Sequence, residues 1–245
     1  MSTRVKYVEQ ERFGVVMGHL DLSSDNGVNP LSLHVVETLR EHMAATHQSN
    51  APHLLLLTAQ GRCFSAGADV KEFRGFDEVG FRNYMTRILA LYAEMIEASR
   101  PIVCAVHADA RGGGAALALC SDFVVAQRDA RFALPESLRG LAGGGYLMPR
   151  LIGKQMATEM VLLGRDFSAE EMHGLGAVNA LCSAQELEPT AAGFCERLAA
   201  IPVSSFVVGK RSLAGGLSTG LREAMQWHID AQTQAFTRAR AEGQV

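Results

Sequence analysis

No apolar run in this chain approaches the ~20 residues that a helix needs to cross a bilayer, so no membrane role is expected. Charge of one sign is also missing. Lys and Arg number 23 against 26 Asp and Glu, a formal charge of −3, so nothing draws the chain electrostatically to nucleic acid or to an anionic membrane. The N-terminal MSTRVKYVEQERFG has no apolar h-region and is not expected to be a secretory signal. The five cysteines, Cys63, Cys104, Cys120, Cys182 and Cys195, are an odd number without a CxxC pair. They read as buried thiols in a reducing cytoplasm, not as a disulfide framework. The eight histidines are scattered without metal-ligand spacing, and no metal site is expected. Linkers, low-complexity stretches and clear sequence repeats are absent too.

What is present is an ordinary globular composition. The 245 residues are 48% hydrophobic and 20% charged, enough for one large domain with a real core. Strand-like and helix-like stretches alternate. Val15 to Leu22 reads as a strand, Leu31 to Thr46 as a helix with an apolar face, and His53 to Leu57 as a second strand. Gly61 to Phe73 is a loop entering a short helix, and Asp77 to Ser99 is a helix carrying Tyr84, Ile88, Leu91, Met95 and Ile96 on one face. Ser121 to Gln127 and Arg131 to Glu136 read as strands, and the four glycines within Arg139 to Gly145 as a loop. Met148 to Gly164 is helical with a break at Gly153. Ser168, with Glu171 three residues on, opens another helix as a capping box. Ala177 to Ser183 is the last strand, and three helices fill the end, Glu186 to Ala200, Val203 to Ala214 and Thr219 to Ala241. This order predicts an α/β domain of parallel strands with crossover helices, residues 1–185 forming the core and 186–245 a helical region.

The corner at Pro101 to Gly114, PIVCAVHADARGGG, is expected to carry the chemistry. A buried strand, Pro101 to Ala108, turns into three glycines that open an apolar helix, Ala115 to Cys120. A glycine run at a helix start leaves backbone N–H groups free and aims the positive end of the helix dipole at whatever docks there. The guest would be an anion, or an oxygen that becomes one.

FSAGADVKEF (Phe64 to Phe73), PIVCAVHA followed by GGG and CSDFVVA, RFALPE, and LIGKQMATEMVLLGRDFSAEEMHGLGAVNAL together resemble the enoyl-CoA hydratase/isomerase family, the crotonases. Each motif alone is weak; their shared order and spacing over nearly the whole chain is specific. The resemblance implies a spiral of ββα units (a ClpP/crotonase-like fold) with a C-terminal helical trimerisation region, and a homotrimer or hexamer. It implies acyl-CoA as substrate, with CoA part of the substrate and no permanently bound cofactor. It further implies that the backbone N–H groups of Ala68 and Gly113 hold the thioester oxygen. Ala66, Asp69 and Lys71 would lie beside the CoA. Physical chemistry supports the same assignment. Removing a proton next to a thioester makes an enolate, and two preorganised amides stabilise it. One such donor contributes about 3–4 kcal/mol in a well-studied case. Only small residues let backbone come that close, and Ala66, Gly67, Ala68 and the three glycines provide them.

The family's hydratases pair two glutamates, one two residues after the GGG and one after the proline of the PE motif. Here the first position is Ala116; the second is Glu136. Water addition by two carboxylates is then not expected. One glutamate can still carry a proton from C2 to C4 through a dienolate, and family isomerases resemble this chain in keeping only the later one. Glu136 would need a raised pKa through burial, with Phe132, Leu134 and Leu138 as lining and Tyr146 reaching the pocket from the glycine loop. The alternatives are a hydratase or hydratase-lyase, one acting on an acyl carrier protein thioester, or a non-catalytic scaffold. Asp122 and His107 read as structural, Trp227 and His228 as subunit packing, and Met156 and Met160 as core filling. Two further departures bear on pocket shape. RGLAGGG is shorter than the family's loop before Pro149-Arg150 and lacks its proline. The chain reaches Gly243-Gln244-Val245 without the aromatic and basic tail helix that many members lay over the acyl-CoA.

Overall fold

The structure, a computed structural model, describes residues 3–241; the end at residues 243–245 lies outside them. Its elements are β1 (Arg4–Arg12), β2 (Val15–Ser23), β3 (Pro30–Leu31), α1 (Leu33–Ala45), β4 (Leu54–Ala59), β5 (Gly67–Ala68), α2 (Glu78–Glu97), β6 (Ile102–Val106), β7 (Ala110–Arg111), α3 (Gly113–Leu119), β8 (Phe123–Gln127), β9 (Arg131–Ala133), α4 (Met148–Leu162), β10 (Phe167–Ser168), α5 (Ala169–Gly174), β11 (Ala180–Cys182), α6 (Leu187–Ala199), α7 (Val203–Ser218) and α8 (Leu221–Ala241). Short 3-10 turns cover Glu72–Gly75 and Pro135–Arg139.

A six-stranded sheet runs β1-β2-β4-β6-β8-β11. From β2 to β11 every pairing is parallel, so each return needs a crossover. Those crossovers repeat one device. A long strand in the large sheet is followed by a short strand in a small sheet and then a helix: β2-β3-α1, β4-β5-α2, β6-β7-α3, β8-β9-α4. β3 pairs with β5, and β9 lies between β7 and β10. The central strand β6 is buried at all five positions, as its continuous apolar run requires when both faces are covered.

β1 is a strand the apolar pattern did not announce. Its nine residues pair antiparallel with β2, from Arg4 opposite Ser23 to Arg12 opposite Val15. The hairpin turns on Phe13 (φ 57°) and Gly14 (φ 75°), two left-handed residues of the kind that match the strand twist. Elsewhere the expected breaks hold. Gly153 (φ 74°, ψ 160°) interrupts α4, and Ser168 and Glu171 satisfy each other's backbone N–H at the start of α5.

α7 is tied to the sheet by a buried cation. Lys210 Nζ donates to Asp122 Oδ2 at 2.6 Å and to Met95 O at 3.1 Å. The same carboxylate oxygen accepts Ile102 N–H at 2.8 Å, which gives Asp122 a structural task. α8 packs along α7 and leaves Leu221, Met225, Ile229 and Phe236 exposed. Among the described residues no single helix is long and apolar enough to cross a membrane.

Candidate active site

The glycine corner lies where the small sheets meet α3. Gly112 has φ 54° and ψ −129°, a backbone that glycine adopts without strain. Its N–H donates to Ala133 O at 2.7 Å, which draws the end of β9 against the start of α3. Ala115 and Ala116 N–H both turn back to Gly112 O, at 3.0 and 3.2 Å. Gly113, the first residue of α3, has no carbonyl one turn earlier to receive its own N–H.

Ala68 stands next to it. Just after β5, Asp69 N–H donates to Leu31 O at 3.2 Å, and Leu31 is the register partner of Ala68. Successive N–H groups along extended chain point to opposite sides, so the Ala68 N–H faces away from β3. A Cβ built on Gly113 would lie 3.6 Å from Ala68 N, and one built on Gly67 would lie 2.8 Å from Gly113 N. Two amides are therefore neighbours because two glycines leave room between them. Ser65 supports the approach. It is fully buried, its hydroxyl donates to Asn29 O at 2.7 Å and accepts Gly67 N–H at 3.2 Å, and Gly114 packs on it closely enough that a Cβ would lie 2.6 Å from Ser65 Cβ. Asn29 holds the preceding loop through Nδ2, which donates to the carbonyls of Gln60, Cys63 and Phe64.

Glu136 enters because β9 ends at the corner. Three residues after Ala133 its carboxylate lies between two glycines: a Cβ on Gly112 would come within 2.7 Å of Glu136 Oε1, and one on Gly143 within 2.7 Å of Glu136 Cδ. Glu136 Oε2 is buried without a hydrogen-bond partner. Burial raises the pKa of this carboxyl; its own backbone N–H and the Arg139 charge pull weakly the other way.

A cavity of about 320 Å³ opens between these groups and α2. Ala68, Gly112, Gly113, Ala116 and Glu136 line one side, with Leu134, Gly143 and Tyr146 beside them. The other side is apolar, from Phe73, Phe81, Met85, Ile88 and Leu89, with Tyr84 and Tyr92. Among the lining residues Glu136 is the one carboxylate, and the position of the second in the hydratase pattern is the Ala116 methyl.

Of the other expected site residues, Phe132 lies elsewhere. It is fully buried in the core and pairs with Ala110 on one side and Phe167 on the other. The strand stops at Ala133, and Leu134 (φ −120°, ψ 77°) leaves the alternation, so Phe132 and Leu134 do not share a surface. Leu138 is 72% exposed on the 3-10 turn and does not line the cavity. Ala66, Asp69 and Lys71 follow the loop around β5 outside the lining. Ala66 N–H donates to Val28 O, and Asp69 Oδ1 accepts Lys71 N–H at 3.0 Å. His107 Nε2 donates to Gly61 O at 3.0 Å, and His228 Nδ1 meets Ser212 Oγ at 2.8 Å between α8 and α7. The residues that motif reading passed over are Asn29, Ser65, Tyr92 and Gly143. Only the Asn29-Pro30 turn and the spacing of Tyr84 and Tyr92 on α2 offered a signal.

Comparison with known proteins gives one consistent result. Residues 16–244 match the enoyl-CoA hydratase/isomerase family model. A probable enoyl-CoA hydratase of Mycobacterium tuberculosis is 31% identical over 235 residues, 91% of this chain and 81% of the relative. The 1,2-epoxyphenylacetyl-CoA isomerase of Escherichia coli is 30% identical, over 88% of this chain and 85% of its own length. Among solved structures, an enoyl-CoA hydratase subunit from Geobacillus kaustophilus superposes with a TM-score of 0.86 at 28% identity, covering 100% of this chain and 93% of that one. The glycine corner, the strand–short strand–helix repeat and these matches agree: the chain belongs to the enoyl-CoA hydratase/isomerase family, as an enzyme with the crotonase fold.

Proposed function

We propose that this protein moves the double bond of an enoyl thioester, converting a 3-enoyl-CoA to the conjugated 2-enoyl-CoA, with Glu136 as the sole acid and base. The carboxylate of Glu136 takes a proton from C2. The electron pair of that C–H bond moves toward the thioester carbonyl, and the oxygen, now an enolate, is held by the N–H groups of Ala68 and Gly113. The new Glu136 carboxylic acid returns the proton at C4, the double bond settles between C2 and C3, and the glutamate is regenerated. No water, electron or second carboxylate is consumed. CoA takes part as a piece of the substrate, and Ala66, Asp69 and Lys71 are proposed to flank it.

The observation that carries this reading is the lining itself: one buried carboxylate with an unpartnered oxygen, in a cavity where Ala116 supplies only a methyl. The names of several relatives favour a second reading, hydration of a 2-enoyl-CoA. The two separate in one assay. Conjugated-thioester absorbance should rise with 3-enoyl-CoA and stay constant with 2-enoyl-CoA; loss of absorbance from 2-enoyl-CoA would establish hydration instead.

Gly143→Ala tests how closely the carboxylate is set. Gly143 lacks a positive φ, so the backbone accepts alanine, and the Glu136 carboxyl group is what must move. A displacement of about 1 Å can cost on the order of 10²-fold in rate. Turnover should fall by 10-fold or more, with the melting temperature nearly unchanged, as read by kinetics and thermal unfolding on the same preparation.

The trimer or dimer of trimers remains part of the proposal. Its support is the exposed apolar side chains of α8, and light scattering should return the mass of three or six protomers, not one.

A further inference from the structure

Neither amide of the proposed oxygen-binding pair is held rigidly by its own sequence. Gly113 is the middle of three glycines, which carry no Cβ and resist rotation least. Ala68 ends a two-residue strand. Both are reached from the same helix. On α2, Tyr92 donates its hydroxyl to Gly113 O at 2.7 Å. Two turns earlier on that face, Tyr84 donates to Leu31 O at 2.8 Å. Leu31 O also accepts Asp69 N–H, and Leu31 is the register partner of Ala68. One phenol therefore grips the residue that carries one amide, and the other grips β3, the strand paired with the one that carries the second.

We propose that Tyr92 and Tyr84 are positioning residues that set the separation and direction of the Ala68 and Gly113 amides. The inference rests on the oxyanion role proposed above. Eight residues of helix separate the two hydroxyls along about 12 Å of axis, so α2 acts as a fixed bar between the two halves of the site. The phenols are themselves fixed. Tyr84 and Tyr92 are 1% and 3% exposed, and the Tyr84 ring meets Phe73 edge-on at 5.0 Å between centroids. Tyr92 and Gly113 fit each other: a Cβ on Gly113 would lie 2.8 Å from the Tyr92 hydroxyl, so the contact exists because residue 113 has no side chain. Burial raises the pKa of both phenols, which keeps each hydroxyl a donor through the neutral range.

The test is Tyr92→Phe and Tyr84→Phe, each keeping its ring, read with bound 2,4-hexadienoyl-CoA. Polarisation of the thioester carbonyl by two amides shifts the absorption of this conjugated chromophore to the red. Tyr92→Phe should shrink that shift and lower kcat on 3-enoyl-CoA by roughly 10-fold, less than the 10²–10³ that loss of a donor costs, while the dissociation constant of the probe changes little. Tyr84→Phe should act in the same direction. A wild-type shift that survives Tyr92→Phe, with kcat per folded molecule unchanged, overturns the inference even where the melting temperature falls. A shift reduced by Tyr92→Phe alone overturns the share assigned to Tyr84. No shift in the wild-type protein overturns the oxyanion reading and this inference with it.

Discussion

Glu136→Gln should lower turnover of 3-enoyl-CoA by about 10³-fold or more, since a positioned acid or base contributes on the order of 10²–10⁴ and here one group performs both transfers. Glutamine keeps the shape between Gly112 and Gly143 and leaves the cavity otherwise intact. Acyl-CoA binding should survive, so the loss should fall on kcat and not on KM. Kinetics with 3-enoyl-CoA and equilibrium binding of a saturated acyl-CoA check the two halves separately. A variant with half the wild-type rate would mean that another group carries the proton.

The same substitution has a signature in stability. Burial without a partner for Oε2 raises the folded-state pKa of Glu136. A group whose pKa is raised on folding favours the folded state fully below its unfolded pKa, and that contribution is lost as the pH rises through the folded pKa. Above its raised folded-state pKa the wild-type protein holds an ionised carboxylate in an apolar pocket, which glutamine avoids. Above the folded-state pKa Glu136→Gln should melt no lower than wild type, and its advantage should shrink as the pH falls from that raised pKa to the ordinary glutamate value. The rate follows the opposite sign. Glu136 must be ionised to take the C2 proton, so kcat/KM should rise with pH through a pKa above the ordinary glutamate value and then level. Removing the Arg139 charge should move that limb higher.

Gly67→Ala is the second large effect, and it acts on backbone alone. Gly67 has φ 82°, a region where a residue with a Cβ carries about 1–3 kcal/mol of strain. The new methyl would also lie 2.6 Å from Arg111 O and 2.8 Å from Gly113 N. Those are backbone atoms, so β5 and the start of α3 must separate. Each kcal/mol lowers the melting temperature of a domain this size by about 2–4 °C, and a fall of roughly 5 °C or more is expected. The separation should also take Ala68 and Gly113 out of common reach of one oxygen, with kcat down on the order of 10²-fold per folded molecule. Thermal unfolding and active-site titration of the same sample distinguish the two losses. Full activity in Gly67→Ala would show that the close approach of β5 and the start of α3 is not needed.

Much of this was legible in the residues because small side chains at a close approach are themselves the signal. Gly67 and the three glycines mark the corner, and the PE pair marks the carboxylate that β9 delivers to it. β1 was not legible: RVKYVEQER is charged along its exposed face, and only pairing with β2 makes it a strand. Phe132 was expected at the pocket because it lies near Glu136 in sequence, but β9 turns it into the core and ends before Leu134. The tasks of Tyr84 and Tyr92 were hidden for a different reason. Helical spacing places them on the buried face of α2, yet their carbonyl partners lie 53 and 21 residues away in sequence. Gly143 reads as one more loop glycine until the fold brings Glu136 against it.

The central claim is that one carboxyl group carries one proton from C2 to C4. A single turnover of 3-enoyl-CoA deuterated at C2, run in ordinary water with excess enzyme, tests it most directly. Magnetic resonance of the product should show the conjugated 2-enoyl thioester, unhydrated, with deuterium from C2 now at C4. A 3-hydroxyacyl product, or a conjugated product whose added C4 hydrogen comes wholly from the solvent, would contradict it.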